Sequence, residues 1–391
     1  MRRGIPASVR GVHVVFFNWR DTRNPEGGGS ERYVEQMARG IVEHGGRATI
    51  FCAAHDRAPA DEVVDGVRFV RRGTKLAVYL RGVEHLLRRR FGRVDLVVDV
   101  QNGLPFFTRL ATRVPVVVLV HHVHREQWPV VYPGLTGRVG WWIERWLAPR
   151  LYRRSQYVAV SRATRDELVL LGVDRDRIAV VHNGTEPPPD VTSTRSPYPT
   201  VCVVGRLVPH KRVEHAIEAV AALRAEIPDL RLLVVGDGWW HDELVDAVKA
   251  LDVVDAVTMT GHVSEQRKHE LYAESWVMAL PSLKEGWGLV VGEAGMHGAP
   301  TVAYASAGGT RESVAHGLSG LLVDDQAAFT EALRDVLTDA ELRRRLGTGA
   351  RLVADGYTWR HSRGSFAQVV HDVLAGRVAD PEDPDERLPA G

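Results

Sequence analysis

Cysteine is nearly missing from this chain: Cys52 and Cys202 are the only two in 391 residues, one in each half. Two such residues cannot build a disulfide framework, and neither stands at a metal-ligand spacing, so a reduced, cytoplasmic setting is expected. Long apolar runs are missing as well. The basic start followed by "VHVVFF" (12–17) is too short for a signal sequence and lacks a small-residue cleavage site, so a buried first strand is expected there. No segment approaches the ~18 apolar residues of a membrane span. Large net charge is absent too, with 50 Lys/Arg against 49 Asp/Glu, and no nucleic-acid partner is expected.

That near-zero sum hides an asymmetry. Residues 1–190 carry 30 Lys/Arg against 20 Asp/Glu, and the remainder 20 against 29. A basic half joined to an acidic half suggests that the first half meets something anionic, although an arginine-rich composition alone would look the same. Hydrophobic content of 45% is enough for a full core, and the length suits about two domains.

Short valine-rich runs recur along the first half: "VHVVFF" (12–17), "RATIFCAA" (47–54), "GVRFVRRG" (66–73), "DLVVDVQ" (95–101), "PVVVLVHH" (115–122), "YVAVS" (157–161) and "IAVVHNG" (178–184). Amphipathic helical patterns such as "SERYVEQMARGIVEHGG" lie between several of them. Strands alternating with helices predict a parallel sheet covered on both faces. "TEPPPDVTSTRSPYPT" (185–200), with five prolines, reads as a linker. The alternation then restarts at 200–207, 230–238, 257–263, 276–282, 300–306 and 319–325. An acidic, proline-rich tail closes the chain and is expected to be disordered.

In a doubly wound sheet, ligands sit beyond the carboxyl ends of the strands, where helix N-termini point their N–H groups. Several residues here follow strands. "VVGRLVPHKR" puts Gly205 and Arg206 after a strand and Lys211 near the start of the next helix. Two cations at such a corner suit a diphosphate; a solvated turn is the plain alternative. "VVGDGWW" offers Gly236, Asp237 and Gly238, where glycines allow a tight turn and close approach by a ligand, or simply a surface turn. "LPSLKEGWGLVVGEA" (280–294) carries the strongest signal, with Glu285 and Glu293 bracketing a Gly-Trp-Gly corner where a strand runs into a helix. Glu285 at the strand end could accept hydrogen bonds from sugar hydroxyls, and Glu293 could accept a bidentate pair from a ribose diol. "AGGTRES" (307–313) adds another glycine-rich corner.

In order and spacing, "GRLVPHKR", "GDG", "EGWGLVVGE" and "GGTRES" resemble the second domain of retaining glycosyltransferases of family 4, and the glutamate pair fits that family's E-x7-E signature. "PEGGGSERYVEQMARGIVEHGG", "VVVLVHH", "YVAVSRATRDEL" and "IAVVHNG" resemble its first domain. The resemblance reaches to about residue 375. It implies an α/β chain of GT-B fold, two doubly wound Rossmann-like domains facing across a cleft. The expected divisions are an acceptor-binding domain at 1–185, a linker at 186–199 and a nucleotide-sugar-binding domain at 200–356. A helix returning to the first domain would occupy 357–378, and the disordered tail 379–391. Arg206 and Lys211 would hold the donor diphosphate and stabilise the leaving group. Glu285 would bind the donor sugar with the N–H groups of Gly286, Trp287 and Gly288, and Leu289 would lie beside them. Glu293 would bind the ribose, and Gly205, Gly236, Asp237 and Val263 would complete the donor site. Gly28 and Gly29 would let backbone approach phosphate and acceptor, and His121 would lie beside the transferring sugar. Trp287 replaces the commoner Phe, keeping an aromatic while changing the pocket shape. His121, Arg206, Lys211 and Glu285 are the expected catalytic group.

The implied reaction retains configuration, needs no metal or resident cofactor, and uses a UDP- or GDP-linked sugar as co-substrate. The acceptor is a hydroxyl on a glycan, lipid-linked saccharide or small molecule. Lys211→Ala is expected to depress turnover more than stability. Two further readings stand beside this one: a nucleotide-sugar epimerase, for which the first half offers Asp95, Asp99 and Glu126, and a non-catalytic nucleotide-sugar binder. Asp174-x-Asp176 mimics a metal-binding pair and is expected to be a surface loop; His121, His122 and His124 are not expected to bind zinc. "GRVGWWIERWLAPRLYRR" (137–154) interleaves Trp141, Trp142 and Trp146 with arginines in the manner of an interfacial helix. The resemblance implies that this segment packs on the sheet, while the basic first domain remains compatible with peripheral contact at the inner face of a membrane.

Overall fold

The computed structural model describes residues 9–379, and these divide into two compact units. The first runs to Asn183 and takes in the segment from Trp359 onward; the second is Gly184–Thr358. The proline-rich segment expected to be a free linker is thus counted with the second unit. There Thr185 N–H donates to the Tyr357 carbonyl (2.7 Å), and Trp276 Nε1 donates to the Ser196 carbonyl (2.8 Å).

The first unit is built on eight strands: β1 (His13–Phe17), β2 (Arg47–Cys52), β3 (Asp61–Val64), β4 (Val67–Arg71), β5 (Leu96–Gln101), β6 (Val116–Val120), β7 (Gln156–Ala159) and β8 (Ile178–Val180). They lie in the order β3-β4-β2-β1-β5-β6-β7-β8, all parallel except the β3–β4 hairpin. Every residue of β1, β5 and β6 is buried, which is why these strands read as unbroken apolar runs. Phe17, Phe51, Phe91 and Phe106 pack below them, with Phe17 and Phe51 each edge-on to Phe91. Fully burying one such side chain is worth about 1.5–3 kcal/mol.

The helix Trp359–Leu374 packs within this unit. Phe366 meets Phe16 at 5.8 Å, and Arg363 donates to Gln36 Oε1 (2.7 Å) and forms an ion pair with Glu43 (2.9 Å) on the helix Gly29–Glu43. The helices touch closely at Gly40, where an added Cβ would lie 2.8 Å from that of Arg363. The tail expected to be disordered falls outside the described residues except for Ala379. That residue is buried, and its N–H donates to Gln156 Oε1 (3.1 Å).

The 137–154 segment, expected to pack on the sheet, is broken along its length. It comprises the helix Leu135–Trp142, a π-helical turn Ile143–Leu147 and a short helix Ala148–Leu151. Trp141 packs on the core of the first unit, whereas Trp142 and Trp146 are exposed. The buried stripe is Gly137, Gly140, Glu144 and Ala148, and it leaves no room for the other two indoles.

The second unit has six parallel strands: β9 (Thr200–Val204), β10 (Arg231–Val235), β11 (Val257–Gly261), β12 (Val277–Leu280), β13 (Thr301–Tyr304) and β14 (Gly320–Val323). Their order is β11-β10-β9-β12-β13-β14. The strand order therefore reverses between β9 and β12, the place where doubly wound sheets bind ligands beyond their carboxyl ends. In the first unit the reversal falls between β1 and β5.

Candidate functional site

In the second unit the chain leaves β9 through Gly205, Arg206 and Leu207, turns through Pro209–Lys211, and enters the helix Val213–Leu223. It leaves β12 through Pro281 and Ser282 toward Glu285. The two loops are tied together, since Leu283 N–H donates to the His210 carbonyl (2.8 Å). Lys211 Nζ donates to Glu285 Oε1 at 2.5 Å, and Ser282 Oγ donates to the same oxygen at 2.7 Å. Arg206, Lys211, Pro281 and Ser282 line one hollow at the strand ends.

Glu285 is buried. Burial pushes its carboxyl up, but the Lys211 ammonium, the Ser282 hydroxyl and His210 together outweigh that and hold it below the usual glutamate range. The carboxylate is therefore ionised, and the lysine keeps donor capacity in reserve, because an ammonium carries three N–H groups.

A second layer of backbone bonds fixes this corner. Glu285 N–H donates to the Ala307 carbonyl (2.7 Å), and Gly309 N–H donates back to the Glu285 carbonyl (3.0 Å). The chains approach so closely that a Cβ on Gly309 would lie 1.9 Å from the Gly286 carbonyl oxygen. Gly288 caps the helix Leu289–Met296 in the left-handed region (φ +90°), which favours glycine. Among the described residues the Gly286 and Gly288 N–H groups have no backbone or side-chain acceptor.

Other expected positions have partners within the fold. The Trp287 ring is buried against Tyr357 (4.8 Å, edge-on), and its carbonyl accepts from Ser313 Oγ (2.7 Å). The tightness at Gly236 and Gly238 is between chain segments, since Cβ atoms there would lie 2.0 Å from the Gly205 oxygen and 2.1 Å from the Leu207 oxygen. Asp237, exposed, accepts from Gly238 N–H (2.7 Å). Gly28 N–H is already taken by Glu31 Oε2 (2.8 Å) at the start of the helix Gly29–Glu43, whose first residue, Gly29, is exposed.

Glu293, in the second turn of its helix, accepts from Tyr272 Oη (3.0 Å) and pairs with Lys268 Nζ (3.1 Å). Sequence reasoning passed over Ser282, Tyr272 and Lys268. Ser282 stands in the quoted motif three residues before Glu285, whereas nothing local announces the other two. Val263 packs against the core cluster that contains Leu280 and Val291.

In the first unit, His121 directly follows β6 and is buried, edge-on to Tyr33 at 5.4 Å. Burial lowers its pKa to about 4 against a weaker upward pull from Glu31, so the imidazole is neutral near pH 7. Its Nε2 has no hydrogen-bond partner among the described residues. His122 bonds Gln127 (3.0 Å) and His124 pairs with Glu144 (3.1 Å). Among the described residues no group of three or more His, Cys, Asp or Glu is placed to hold a metal ion. Asp174 caps a turn by accepting from Asp176 N–H (3.2 Å). Of the carboxylates considered for an epimerase, two are tied into the fold: Asp99 accepts from Phe106 N–H (2.8 Å) and Thr108 Oγ1 (2.7 Å), and Asp95 accepts from His13 N–H (2.9 Å), whereas Glu126 Oε2 is buried without a partner among the described residues.

Two doubly wound units, with cations and a carboxylate gathered at the strand reversal of the second, define the GT-B class of fold. Residues 27–187 match the family Glycosyltransferase Family 4 and residues 189–353 match Glycosyl transferases group 1. The chain belongs to the family 4 glycosyltransferases. It is 33% identical over 237 residues to a D-inositol 3-phosphate glycosyltransferase of Stackebrandtia nassauensis, an alignment covering 54% of this chain and 52% of that protein, so the match spans about half the relative's length. It is 29% identical over 380 residues to a GDP-mannose-dependent alpha-(1-6)-phosphatidylinositol monomannoside mannosyltransferase of Mycolicibacterium smegmatis, covering 90% of this chain and 96% of that one. Among solved structures, sucrose-phosphate synthase of Thermosynechococcus elongatus matches with a TM-score of 0.79 at 20% identity, covering 93% of this chain and all of that chain.

Proposed function

We propose that this protein transfers a sugar from a nucleoside diphosphate sugar to a hydroxyl acceptor with retention of configuration. The observation that carries the reading is the Lys211–Glu285 pair, set at the carboxyl ends of β9 and β12 with Arg206 lining the same hollow.

Breaking a glycosyl–phosphate bond leaves a nucleoside diphosphate and an oxocarbenium-like sugar. Stabilising the departing charge is then the largest catalytic demand. Lys211 and Arg206 supply fixed positive charge, and the N–H groups of Gly286 and Gly288 supply neutral donors. Glu285 holds sugar hydroxyls, because Lys211 and Ser282 pin it as an ionised acceptor. That pinning favours same-face attack, in which the leaving phosphate takes the acceptor's proton, over a covalent glutamyl sugar. Glu293 holds the ribose, with Tyr272 and Lys268 orienting its carboxylate. Gly205, Gly236, Asp237, Val263 and Leu289 shape the donor site around them. In the same reading His121 is assigned to the transferring sugar, and Gly28 and Gly29 to backbone contact with phosphate and acceptor.

The donor is a co-substrate, UDP- or GDP-linked, and no resident cofactor or metal takes part. Two buried, unpaired cysteines fit a reducing cytoplasmic compartment. Inositol phosphate and phosphatidylinositol mannoside are the first acceptors to try, since relatives carry those names. The test is release of nucleoside diphosphate from a panel of UDP- and GDP-sugars with and without acceptor, followed by the anomeric configuration of the product. Acceptor-dependent release with retention supports the reading. Epimerised donor, or tight donor binding without release for every acceptor, contradicts it.

A further inference from the structure

We propose that the helical surface of the first unit around Leu135–Arg150 docks on an anionic lipid bilayer. Its inward side is anchored. Gly140 lies against Trp128, where an added Cβ would fall 2.3 Å from the ring, and Trp128 Nε1 donates to the buried Glu144 (2.7 Å). Its outward side is apolar: Leu135 is 74% exposed, Val139 48%, Trp142 55% and Trp146 45%. The spacing of four, three and four puts these on one helical face. Exposed apolar side chains clustered on one face mark an interaction site.

Charge selects the occupant. Between residues 127 and 165 the only carboxylate is Glu144, and it is buried. The exposed charges within this stretch are therefore all positive, among them Arg138, Arg145 and Arg150. The Arg150 guanidinium lies 4.5 Å from the Trp146 ring and that of Arg145 5.6 Å from it, so cation and indole occupy the same level. Indoles at headgroup depth beside arginines match the interface of a membrane bearing negative lipids. A second copy of the same face would set arginine against arginine. Among the described residues no helix is long and apolar enough to cross a membrane, so the proposed contact is peripheral.

The proposal stands independently of the transferase reading. Its test is co-sedimentation of the full chain with phosphatidylcholine vesicles and with equimolar phosphatidylcholine–phosphatidylglycerol vesicles. The chain should pellet with the anionic vesicles at least tenfold more strongly than with the neutral ones, and less as salt is raised. The triple variant Arg138→Gln/Arg145→Gln/Arg150→Gln should lose roughly 100-fold in affinity for the anionic vesicles. The pair Trp142→Ser/Trp146→Ser should lose binding while melting as the wild type does. Absence of binding, equal binding to both vesicles, or variants that bind as wild type would overturn the proposal. So would a dimer in sedimentation velocity that Trp142→Ser/Trp146→Ser dissociates, because the face would then be a protein interface.

Discussion

Lys211 and Glu285, 74 residues apart in sequence, meet at 2.5 Å where β9 and β12 end. The glutamate is buried and the lysine side chain 22% exposed, so the pair is poised between core and solvent. Lys211 thereby neutralises Glu285, and in the function proposed above it also receives a diphosphate.

Lys211→Ala should therefore cost stability as well as rate. Removing one partner of a buried pair leaves an uncompensated charge, here worth roughly 2–4 kcal/mol. Turnover should fall roughly 10²–10³-fold, as for a lost transition-state donor. Urea unfolding and kcat check both. The double variant Lys211→Ala/Glu285→Ala should be less destabilised than Lys211→Ala alone; strict additivity would show that the pair is not coupled in solution.

Glycines at two sites should respond with opposite sign. Gly309→Ala forces a Cβ to 1.9 Å from the Gly286 oxygen, so the Glu285 corner must move. A loss of at least about 2 kcal/mol and of most activity is expected, by analogy with overpacked cores. Gly364→Ala, inside the helix Trp359–Leu374 with open space around its Cβ, should stabilise by about 0.5–1 kcal/mol. Thermal melts of both variants decide the matter.

Much of this arrangement was legible in sequence, for a physical reason. A strand buried on both faces must be apolar throughout, so β1, β5 and β6 announce themselves, and Arg206 and Glu285, the proposed donor contacts, were found by looking just past such strands. The hairpin strand β3 went unseen because "DEVV" is four residues of half-exposed edge with no apolar run. Tyr272 and Lys268 were invisible because a helix surface reveals nothing of which carboxylate it meets 21 or 25 residues later. At Gly236 the sequence did not show that the missing Cβ also makes room for the neighbouring loop at Gly205. The outward indoles were equally hidden, because a Trp/Arg alternation does not say which indole turns inward.

Glu293→Gln should weaken nucleoside diphosphate binding roughly 10–100-fold, the worth of one or two hydrogen bonds to a charged acceptor. Lys268→Met should weaken it less, because Tyr272 still orients the carboxylate. Calorimetric titration measures both, and unchanged affinity in Glu293→Gln would remove this residue from the ribose site.

His121 should make stability fall in acid. Its folded pKa of about 4 lies below the ordinary histidine value of 6.5, so between those values the unfolded chain binds a proton that the native fold refuses. Stability from this group is complete above about pH 6.5 and declines as pH falls toward 4, by roughly 3 kcal/mol in total. His297, also lowered to about 4, contributes a similar slope, so the comparison must be wild type against His121→Asn. The variant should lose part of the dependence between pH 4 and 6.5; parallel curves would mean that His121 is hydrated or paired in solution.

In the proposed function the second unit binds a nucleoside diphosphate through Lys211, Arg206 and Glu293. Thermal stabilisation by UDP, GDP, ADP and dTDP tests it most directly. One of them at 100 times its dissociation constant should stabilise the wild type by about 2.7 kcal/mol, and the shift should shrink in Arg206→Ala and Glu293→Gln. No shift with any of the four, or an undiminished shift in both variants, would contradict the account.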